Sequence, residues 1–326
     1  MGRSSSYFLK CLSLLLAASL LAACGGKEER KAKYLERGKA YFEEQNFDKA
    51  RVEFKNVLQI DPKTAEPYYY LGQIEEKGQN WQKAFGSYKK ASELDPDLIG
   101  ARVKLGQFYL AQAGALRARD DAAGTANALG LAKEEVDAVL QRAPQDPEGL
   151  TLQARLWMEE GETDQAIAQL ENVVAQHPGL NSAVMVLART YEDADRAADA
   201  ERVLTSGIEA TETPTPLRIQ LSQFYVRQQQ YDKAEQVLRA VVDSNPDQLS
   251  YRLSLASLLS QTDKVDKAEQ VLREAIQAAP EDAQRYVLLT EFLASKRSTD
   301  VAIEELNGFI QKNPDMTELK FALVKL

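Results

Sequence analysis

The chain has 326 residues, of which 40 are basic and 49 are acidic, so its formal net charge is −9 at pH 7. An acidic chain without basic runs is not typical of proteins that bind nucleic acid. One histidine and two cysteines are too few for the usual zinc sites, and the sequence contains neither a glycine-rich phosphate loop nor a nucleophile motif. Composition therefore predicts a protein without catalytic residues, metal site or cofactor.

Residues 1–23 have the organisation of a secretory signal peptide. The first ten residues carry two basic and no acidic side chains, and the apolar run 11–21 is too short to span a bilayer as a helix. The run leads into a segment that resembles the lipobox of bacterial lipoproteins: Leu21, Ala22, Ala23 and Cys24.

The resemblance to bacterial lipoproteins implies cleavage before Cys24 and acylation of this cysteine. Residues 24–30 would then form a lipidated tether, and the glycine that follows Cys24 implies delivery to the outer membrane. Several acyl chains give stable membrane anchoring. Cleavage also removes two basic residues, which changes the net charge from −9 to −11, and leaves Cys24 as the only cysteine.

Two alternative interpretations of the N-terminal segment are weaker. Gly2 and Ser6 fit the loose pattern for N-myristoylation, but an apolar stretch directly behind them has no role in that modification. An uncleaved membrane anchor would be short and would lack a basic flank after the apolar run.

The sequence after this segment repeats with a period of 34 residues. Eight alanines, here called the repeat alanines, keep this spacing except for one interval of 48 residues: Ala50, Ala84, Ala132, Ala166, Ala200, Ala234, Ala268 and Ala302. Prolines follow seven of them at a distance of twelve residues: Pro62, Pro96, Pro144, Pro178, Pro246, Pro280 and Pro314. Such a period indicates a stacked array of helical hairpins, each of which buries its apolar face against its neighbours.

The repeat that ends at Pro96 illustrates the predicted unit. Apolar and small residues at helical spacing predict a first helix that contains Gly72. A four-residue turn follows, in which we expect Gly78 to supply a positive φ, and then a second helix over 81–94, which the proline ends. Because closely crossing helices need small side chains, we expect Gly72 to face the neighbourhood of Ala84.

This unit resembles the tetratricopeptide repeat. The small residue of that family's first helix is matched by Gly38, Gly72, Gly106, Ala154, Ala188, Ser222, Ala256 and, less well, Thr290. The large residue one turn after the repeat alanine is matched by Phe54, Tyr88, Val136, Leu170, Leu204, Leu238, Leu272 and Leu306. The resemblance covers residues 31–314 and implies an all-α, right-handed superhelical solenoid of about eight hairpins, with the start of a ninth.

Two stretches depart from the repeat. The 48-residue interval contains a 14-residue insertion within about 112–130, whose alanines predict a longer first helix and a turn near Asp120 to Gly124. We interpret it as a protruding hairpin tip, and a contact specific to a partner is the alternative. Residues 315–326 predict the truncated first helix of a further repeat. Because helical arrays end in a polar cap, we expect a longer native array or a partner at this end.

In the tetratricopeptide family the first helices line a concave surface that binds extended peptides or a helix of a partner. Carried over by spacing, the resemblance implies these candidate binding residues: Tyr69, Tyr70, Gln73, Lys104, Gln107, Thr151, Leu152, Arg155, Met185, Arg189, Gln220 and Gln223. Tyrosine, arginine and methionine serve interfaces well, although each position is also explained as a solvated helix face. The only histidine, His177, is interpreted as a solvated turn residue.

These features predict a non-catalytic scaffold that binds protein or peptide partners in the bacterial cell envelope. The resemblance implies a lipoprotein on the periplasmic side of the outer membrane, within a secretion, exopolysaccharide-export or surface-sorting complex of the PEP-CTERM-associated type. One alternative is an adaptor, activator or anchor half of an envelope protease, hydrolase or other enzyme whose catalytic part lies elsewhere. Another is a module that binds polysaccharide through concave tyrosines.

Overall fold

A computed structural model of the chain describes residues 26–326, and every regular element among them is an α-helix. The helices are α1 (26–43), α2 (Phe47–Ile60), α3 (Ala65–Lys77), α4 (Trp81–Leu94), α5 (Ile99–Arg117), α6 (Ala122–Arg142), α7 (Pro147–Glu160), α8 (Thr163–Gln176), α9 (Asn181–Asp193), α10 (Ala197–Ala210), α11 (Thr215–Arg227), α12 (Tyr231–Ser244), α13 (Leu249–Gln261), α14 (Val265–Ala278), α15 (Ala283–Lys296), α16 (Thr299–Lys312) and α17 (Thr317–Lys325). Odd-numbered helices are the first helices of the hairpins and even-numbered helices are the second. The predicted all-α repeat fold is confirmed.

The chain divides into two compact units, Met1–Gln169 and Leu170–Leu326, with the boundary inside α8. In the first unit α2 to α7 each pack against the next helix along the chain, and α5 also contacts α7. In the second unit the two helices of each hairpin pack against each other: α9–α10, α11–α12, α13–α14 and α15–α16. The first helices α9 and α11 are also in contact, and so are α15 and α17. Each unit is therefore built from helical hairpins that share their cores with adjacent hairpins.

The repeat alanines mark the hairpin cores. All eight are fully buried, at 0 % relative exposure, and so is Tyr88, the large residue one turn later in the second repeat. Gly72 faces the ring of this tyrosine, one turn from Ala84: a β-carbon on Gly72 would lie 2.6 Å from Cε1 of Tyr88. The small residue therefore makes room for the aromatic ring, which packs in one cluster with Ala84. Gly38 faces the ring of Phe54 in the same way.

The turns inside the hairpins share one backbone feature. The residue two positions before the second helix has a positive φ in seven of the described hairpins: Gln45, Gln79, Asp120, Gly161, Asp195, Gln229 and Asp263. The expectation for Gly78 is wrong, since its φ is −80° while that of Gln79 is 58°. The N–H of Asn80 donates to the carbonyl of Glu75 at 2.8 Å, and this closure of the helix places the left-handed residue at position 79.

The turns between hairpins contain the periodic prolines, and at five of the seven a side chain of the following first helix donates a hydrogen bond to the proline carbonyl. The donor lies six residues after the proline in every case: Tyr68 to Pro62, Arg102 to Pro96, Arg252 to Pro246, Tyr286 to Pro280 and Lys320 to Pro314. Proline offers no N–H of its own, so its carbonyl is the group that can be bound here. These contacts hold the turn against the start of the next hairpin.

The insertion lengthens both helices of the third hairpin. Helix α5 has 19 residues and α6 has 21, whereas α3 and α4 have 13 and 14. The turn occupies residues 118–121, and Asp121 caps α6 by accepting a hydrogen bond from the N–H of Gly124 at 2.8 Å. Gly124 thus belongs to the helix. The extended first helix is confirmed, and the turn lies slightly earlier than expected.

Residues 317–325 form a helix, as predicted. Leu319 of α17 is buried, whereas Phe321 and Val324 are 70 % and 86 % exposed. The continuation of the array beyond this helix stays a prediction.

Candidate functional site

The predicted signal peptide and the lipobox residues Leu21, Ala22, Ala23 and Cys24 lie outside the described residues. Within the part that is described, no helix is long and apolar enough to cross a membrane.

The two tyrosines predicted on α3 are largely occupied by packing inside the first unit. The ring of Tyr70 stacks on Phe54 with 4.9 Å between centroids and meets Phe42 edge-on at 5.2 Å. Tyr69 reaches α5, where its hydroxyl lies 2.7 Å from the place that a β-carbon on Gly100 would take. Burial raises the pKa of both phenols. Both are half-buried, so they offer ring edges and not whole faces to a partner.

Lys104 on α5 is held by a network that the sequence analysis did not anticipate. Its Nζ binds Oε1 of Glu76 at 3.0 Å, and the other oxygen of Glu76 accepts the Tyr88 hydroxyl at 2.6 Å. Burial and this hydrogen bond raise the pKa of Tyr88 far above its ordinary value. The lysine therefore links two hairpins, and its ammonium group is already bound within the fold. Gln73 and Gln107 are half-buried beside it on α3 and α5.

The structure removes two residues of α7 from the candidate surface. Leu152 and Thr151 are each only 2 % exposed. The side chain of Leu152 fills the space above Gly106 of α5, at 3.1 Å from where a β-carbon would be. The prediction that Leu152 and Thr151 line an accessible surface is wrong, because α7 turns this face toward its neighbouring helices. Arg155 is half-buried; burial lowers the pKa of its guanidinium, and the charge of Glu159 opposes that effect.

In the second unit the predicted residues are more accessible. Arg189 is exposed on α9 and pairs with Asp193 one turn later, at 2.9 Å. Met185 and Gln220 are half-buried, and Gln223 is exposed on α11. Gln223 borders a sizeable cavity.

This cavity is a groove of about 740 Å³ between α11 and α13, here called the serine groove. Its lining residues are Ile219, Ser222, Gln223, Val226, Arg227, Leu238, Ser250, Tyr251, Leu253, Ser254, Ser257, Leu258 and Gln261. The α13 wall of the groove is not among the residues predicted from the sequence. Ser254 and Ser257 lie one 34-residue period after the predicted Gln220 and Gln223, so continuing the register by one repeat would have found them.

The charge of the groove is balanced locally. Arg227 is its only charged residue, and two of its nitrogens each donate to a different oxygen of Glu192 at 2.7 Å. Hydrogen bonding to this carboxylate raises the pKa of Arg227. The Glu192 side chain is 7 % exposed and that of Arg227 is 36 % exposed, so the carboxylate is shielded from water while the guanidinium faces the groove. Along α13 the Ser254 hydroxyl donates to the carbonyl of Ser250 at 3.0 Å, and Gln261 donates to the Ser257 hydroxyl at 3.1 Å.

Two further contacts of the second unit also pair a tyrosine hydroxyl with a glutamate. The Tyr191 hydroxyl donates to Glu171 and the Tyr225 hydroxyl to Glu201, at 2.6 and 2.8 Å. Burial, followed by the hydrogen bond, raises the pKa of each of these tyrosines to about 12. Lys233 binds Glu201 at 3.0 Å and lies over the Tyr225 ring. These contacts tie neighbouring helices together, and their groups are satisfied within the fold.

Across residues 26–326, no three His, Cys, Asp or Glu side chains are grouped so that they could hold a metal ion. His177 is exposed in the turn between α8 and α9.

Comparisons with known proteins agree with the repeat pattern. A TPR repeat family model matches residues 38–77, and two tetratricopeptide repeat models match residues 158–214 and 220–283. A search of curated proteins found no match.

Three solved structures illustrate the similarity of the chain to known folds. A tetratricopeptide repeat protein from Parabacteroides merdae is 15 % identical with a TM-score of 0.41, over 90 % of this chain and 98 % of that chain. The APC/C hetero-tetramer Cut9–Hcn1 is 15 % identical with a TM-score of 0.49, over 89 % of this chain and 54 % of that chain. A thermophilic TPR protein from Thermus thermophilus is 24 % identical with a TM-score of 0.38, over 58 % of this chain and 98 % of that chain.

Proposed function

Because the chain carries tetratricopeptide repeats at residues 38–77, 158–214 and 220–283, we propose that it is a non-catalytic scaffold for protein partners in the bacterial cell envelope. In this proposal acylated Cys24 anchors the chain to the periplasmic face of the outer membrane. The partners belong to a secretion, exopolysaccharide-export or surface-sorting complex. The lipobox resemblance supports the lipid anchor, and the acidic composition supports a partner other than nucleic acid.

The serine groove is the observation that carries the proposal. It is concave and is formed by two first helices of adjacent hairpins, α11 and α13. Its walls combine apolar side chains with hydroxyl and amide groups, which is the composition of surfaces that bind peptides. The Arg227–Glu192 pair and the Tyr225–Glu201 contact hold their groups within the fold, so binding in the groove does not depend on breaking them.

Site-specific photo-crosslinking in intact cells tests the scaffold role. A photoreactive phenylalanine analogue replaces Gln223 in the serine groove and, separately, Gln73 on α3. Ser206, exposed on the second helix α10, is the matched control position. We expect the Gln223 position to capture a discrete envelope protein that the Ser206 position does not. Equal capture from both positions, or none from Gln223, would contradict the proposal.

Replacement of the anchoring cysteine tests the localisation. Cys24→Ser removes the thiol that acylation needs, so we expect the protein to move from the membrane fraction to the soluble periplasm. Metabolic labelling with a palmitate analogue should mark the unaltered chain and not the variant. Membrane retention of Cys24→Ser would contradict the lipid anchor while leaving the scaffold role intact.

A further inference from the structure

The serine groove is unusual within this chain because none of its thirteen lining residues is acidic. The whole sequence contains 49 acidic residues among 326, so an average set of thirteen would include about two. Arg227 is the only lining residue with a charge, and its guanidinium is already paired with the shielded carboxylate of Glu192. An otherwise acidic protein thus presents a cleft without acidic lining residues, whose one cation is already paired.

This distribution of charge discriminates against charged ligands. A Lys or Arg side chain that entered the groove would find no acidic partner among the lining residues, and an Asp or Glu side chain would find only Arg227, which already binds Glu192. The carboxylate of a ligand would have to compete for Arg227 with Glu192, which already accepts two hydrogen bonds from it. Leaving a charge desolvated and unpaired costs more than a typical hydrogen bond gains. Specificity therefore arises from rejection as well as attraction.

The polar side chains of the groove suit the backbone of an extended peptide. Ser250, Ser254, Ser257 and Gln261 follow one another at intervals of four, three and four residues, which places them on one face of α13. Gln223 faces the same groove from α11. Hydroxyl and amide groups both donate and accept hydrogen bonds, which is what the N–H and C=O groups of a peptide require.

An extended segment needs these groups more than a helix does. A helix satisfies its backbone internally, whereas an extended segment brings unpaired N–H and C=O groups that must find partners. Between the polar rows, Ile219, Val226 and Leu253 offer apolar contact for small side chains. Helix α11 has 13 residues and is about 20 Å long, which is the length of about six residues of extended chain.

We infer that the serine groove binds an extended segment of about six uncharged residues from a partner protein, and that it rejects segments with charged side chains at that place. The inference rests on the proposed function, because it presupposes a protein partner. It names the chemistry of the segment that the partner presents.

Peptide binding by the purified full chain tests the inference. The probes are fluorescent hexapeptides of Ser, Thr, Asn, Gln, Val and Leu, together with matched peptides in which one central residue is Glu or Lys. Fluorescence anisotropy measures each Kd. We expect some uncharged sequences to bind, and we expect a single charge to weaken them at least about 10-fold, the effect of about 1.4 kcal/mol.

A charge introduced into the groove should reverse this preference. Ser254→Lys places an ammonium group on the exposed face of α13 that lines the groove, so the Glu-containing peptides should bind it more tightly than the uncharged ones. Ser206→Lys on α10 adds the same charge elsewhere and should leave the preference unchanged. Circular dichroism of both variants checks that they fold.

The outcomes separate this inference from the proposed function. If charged hexapeptides bind the unaltered chain as tightly as uncharged ones, or if no uncharged hexapeptide binds at about 1 mM, the inference is overturned. If Gln223 still captures an envelope protein in cells, the scaffold role survives that result. If Ser254→Lys and Ser206→Lys change the preference equally, the effect comes from net charge and the groove is not the binding site.

Discussion

The contact between Gly72 and Tyr88 gives the sharpest test of how the hairpins are packed. In Gly72→Ala the new β-carbon would lie 2.6 and 2.7 Å from Cε1 and Cδ1 of Tyr88. The ring is fully buried and its hydroxyl is bound to Glu76 at 2.6 Å, so it has little freedom to move away. Gly86, in the second helix of the same hairpin, has nothing within 4 Å of its added β-carbon and serves as the matched control.

Two opposing terms set the expected magnitude. Alanine stabilises a helix interior by about 1 kcal/mol relative to glycine, so Gly86→Ala should raise the free energy of unfolding by about that amount. Overpacking a filled core costs about 1–3 kcal/mol. Gly72→Ala should therefore have a free energy of unfolding about 1–3 kcal/mol below that of Gly86→Ala.

Urea unfolding followed by circular dichroism measures this difference. Since both glycines lie in one hairpin, any departure from two-state unfolding affects the two variants alike. The double variant Gly72→Ala with Tyr88→Leu should recover stability relative to the sum of the single changes, because the clash requires the ring. Equal stability of Gly72→Ala and Gly86→Ala would refute the interpretation that the ring fills the space above Gly72.

Three further predictions concern the core, the turns and pH. Ala84→Leu should lower the free energy of unfolding by about 1–3 kcal/mol, measured by urea unfolding, because Ala84 is fully buried at a helix crossing. Gln79→Gly should raise it by up to about 1 kcal/mol in the same assay, because glycine adopts the positive φ of 58° without steric cost. Hydrogen bonds from Lys264 and Arg239 outweigh the effect of burial and lower the pKa of Glu235 to about 2 from an ordinary value of 4.5. Its stabilising contribution should thus be complete above pH 4.5 and be lost as the pH falls toward 2, and Glu235→Gln should remove this part of the pH dependence of thermal unfolding.

Each of these predictions has a contradicting result. Unchanged stability of Ala84→Leu would mean that the crossing is loosely packed. Destabilisation by Gln79→Gly would mean that the glutamine side chain contributes more than its backbone conformation costs. If Glu235→Gln unfolds with the same dependence on pH between 2 and 4.5 as the unaltered chain, other carboxylates account for that dependence.

Much of the fold follows from the sequence because the repeat is a local pattern. The spacing of the repeat alanines predicted one small buried residue in the second helix of each hairpin, and all eight alanines are fully buried. The turn conformation did not follow, because Gly78 has the residue type for a positive φ while the hydrogen bond from Asn80 to Glu75 assigns that conformation to Gln79.

The candidate surface was predicted less well because the register identifies a position and not its surroundings. Leu152 and Gln220 hold the same place in their repeats, yet the first is buried over Gly106 and the second is half-buried. Ser254 also holds that place, and it lines the serine groove. Which of these positions is open depends on the size of residues in the adjacent helix.

The sequence by itself determined that the chain is an array of helical hairpins, since periodic small and large residues at a spacing of 34 can bury their apolar faces only by stacking. It also identified the N-terminal segment whose resemblance implies a lipid anchor. Only the tertiary structure decided which side chains are free to bind. Lys104 is bound to Glu76, 28 residues away, and Arg227 to Glu192, 35 residues away. Pairings over such separations depend on how one hairpin packs on the next, and the same packing forms the serine groove between α11 and α13.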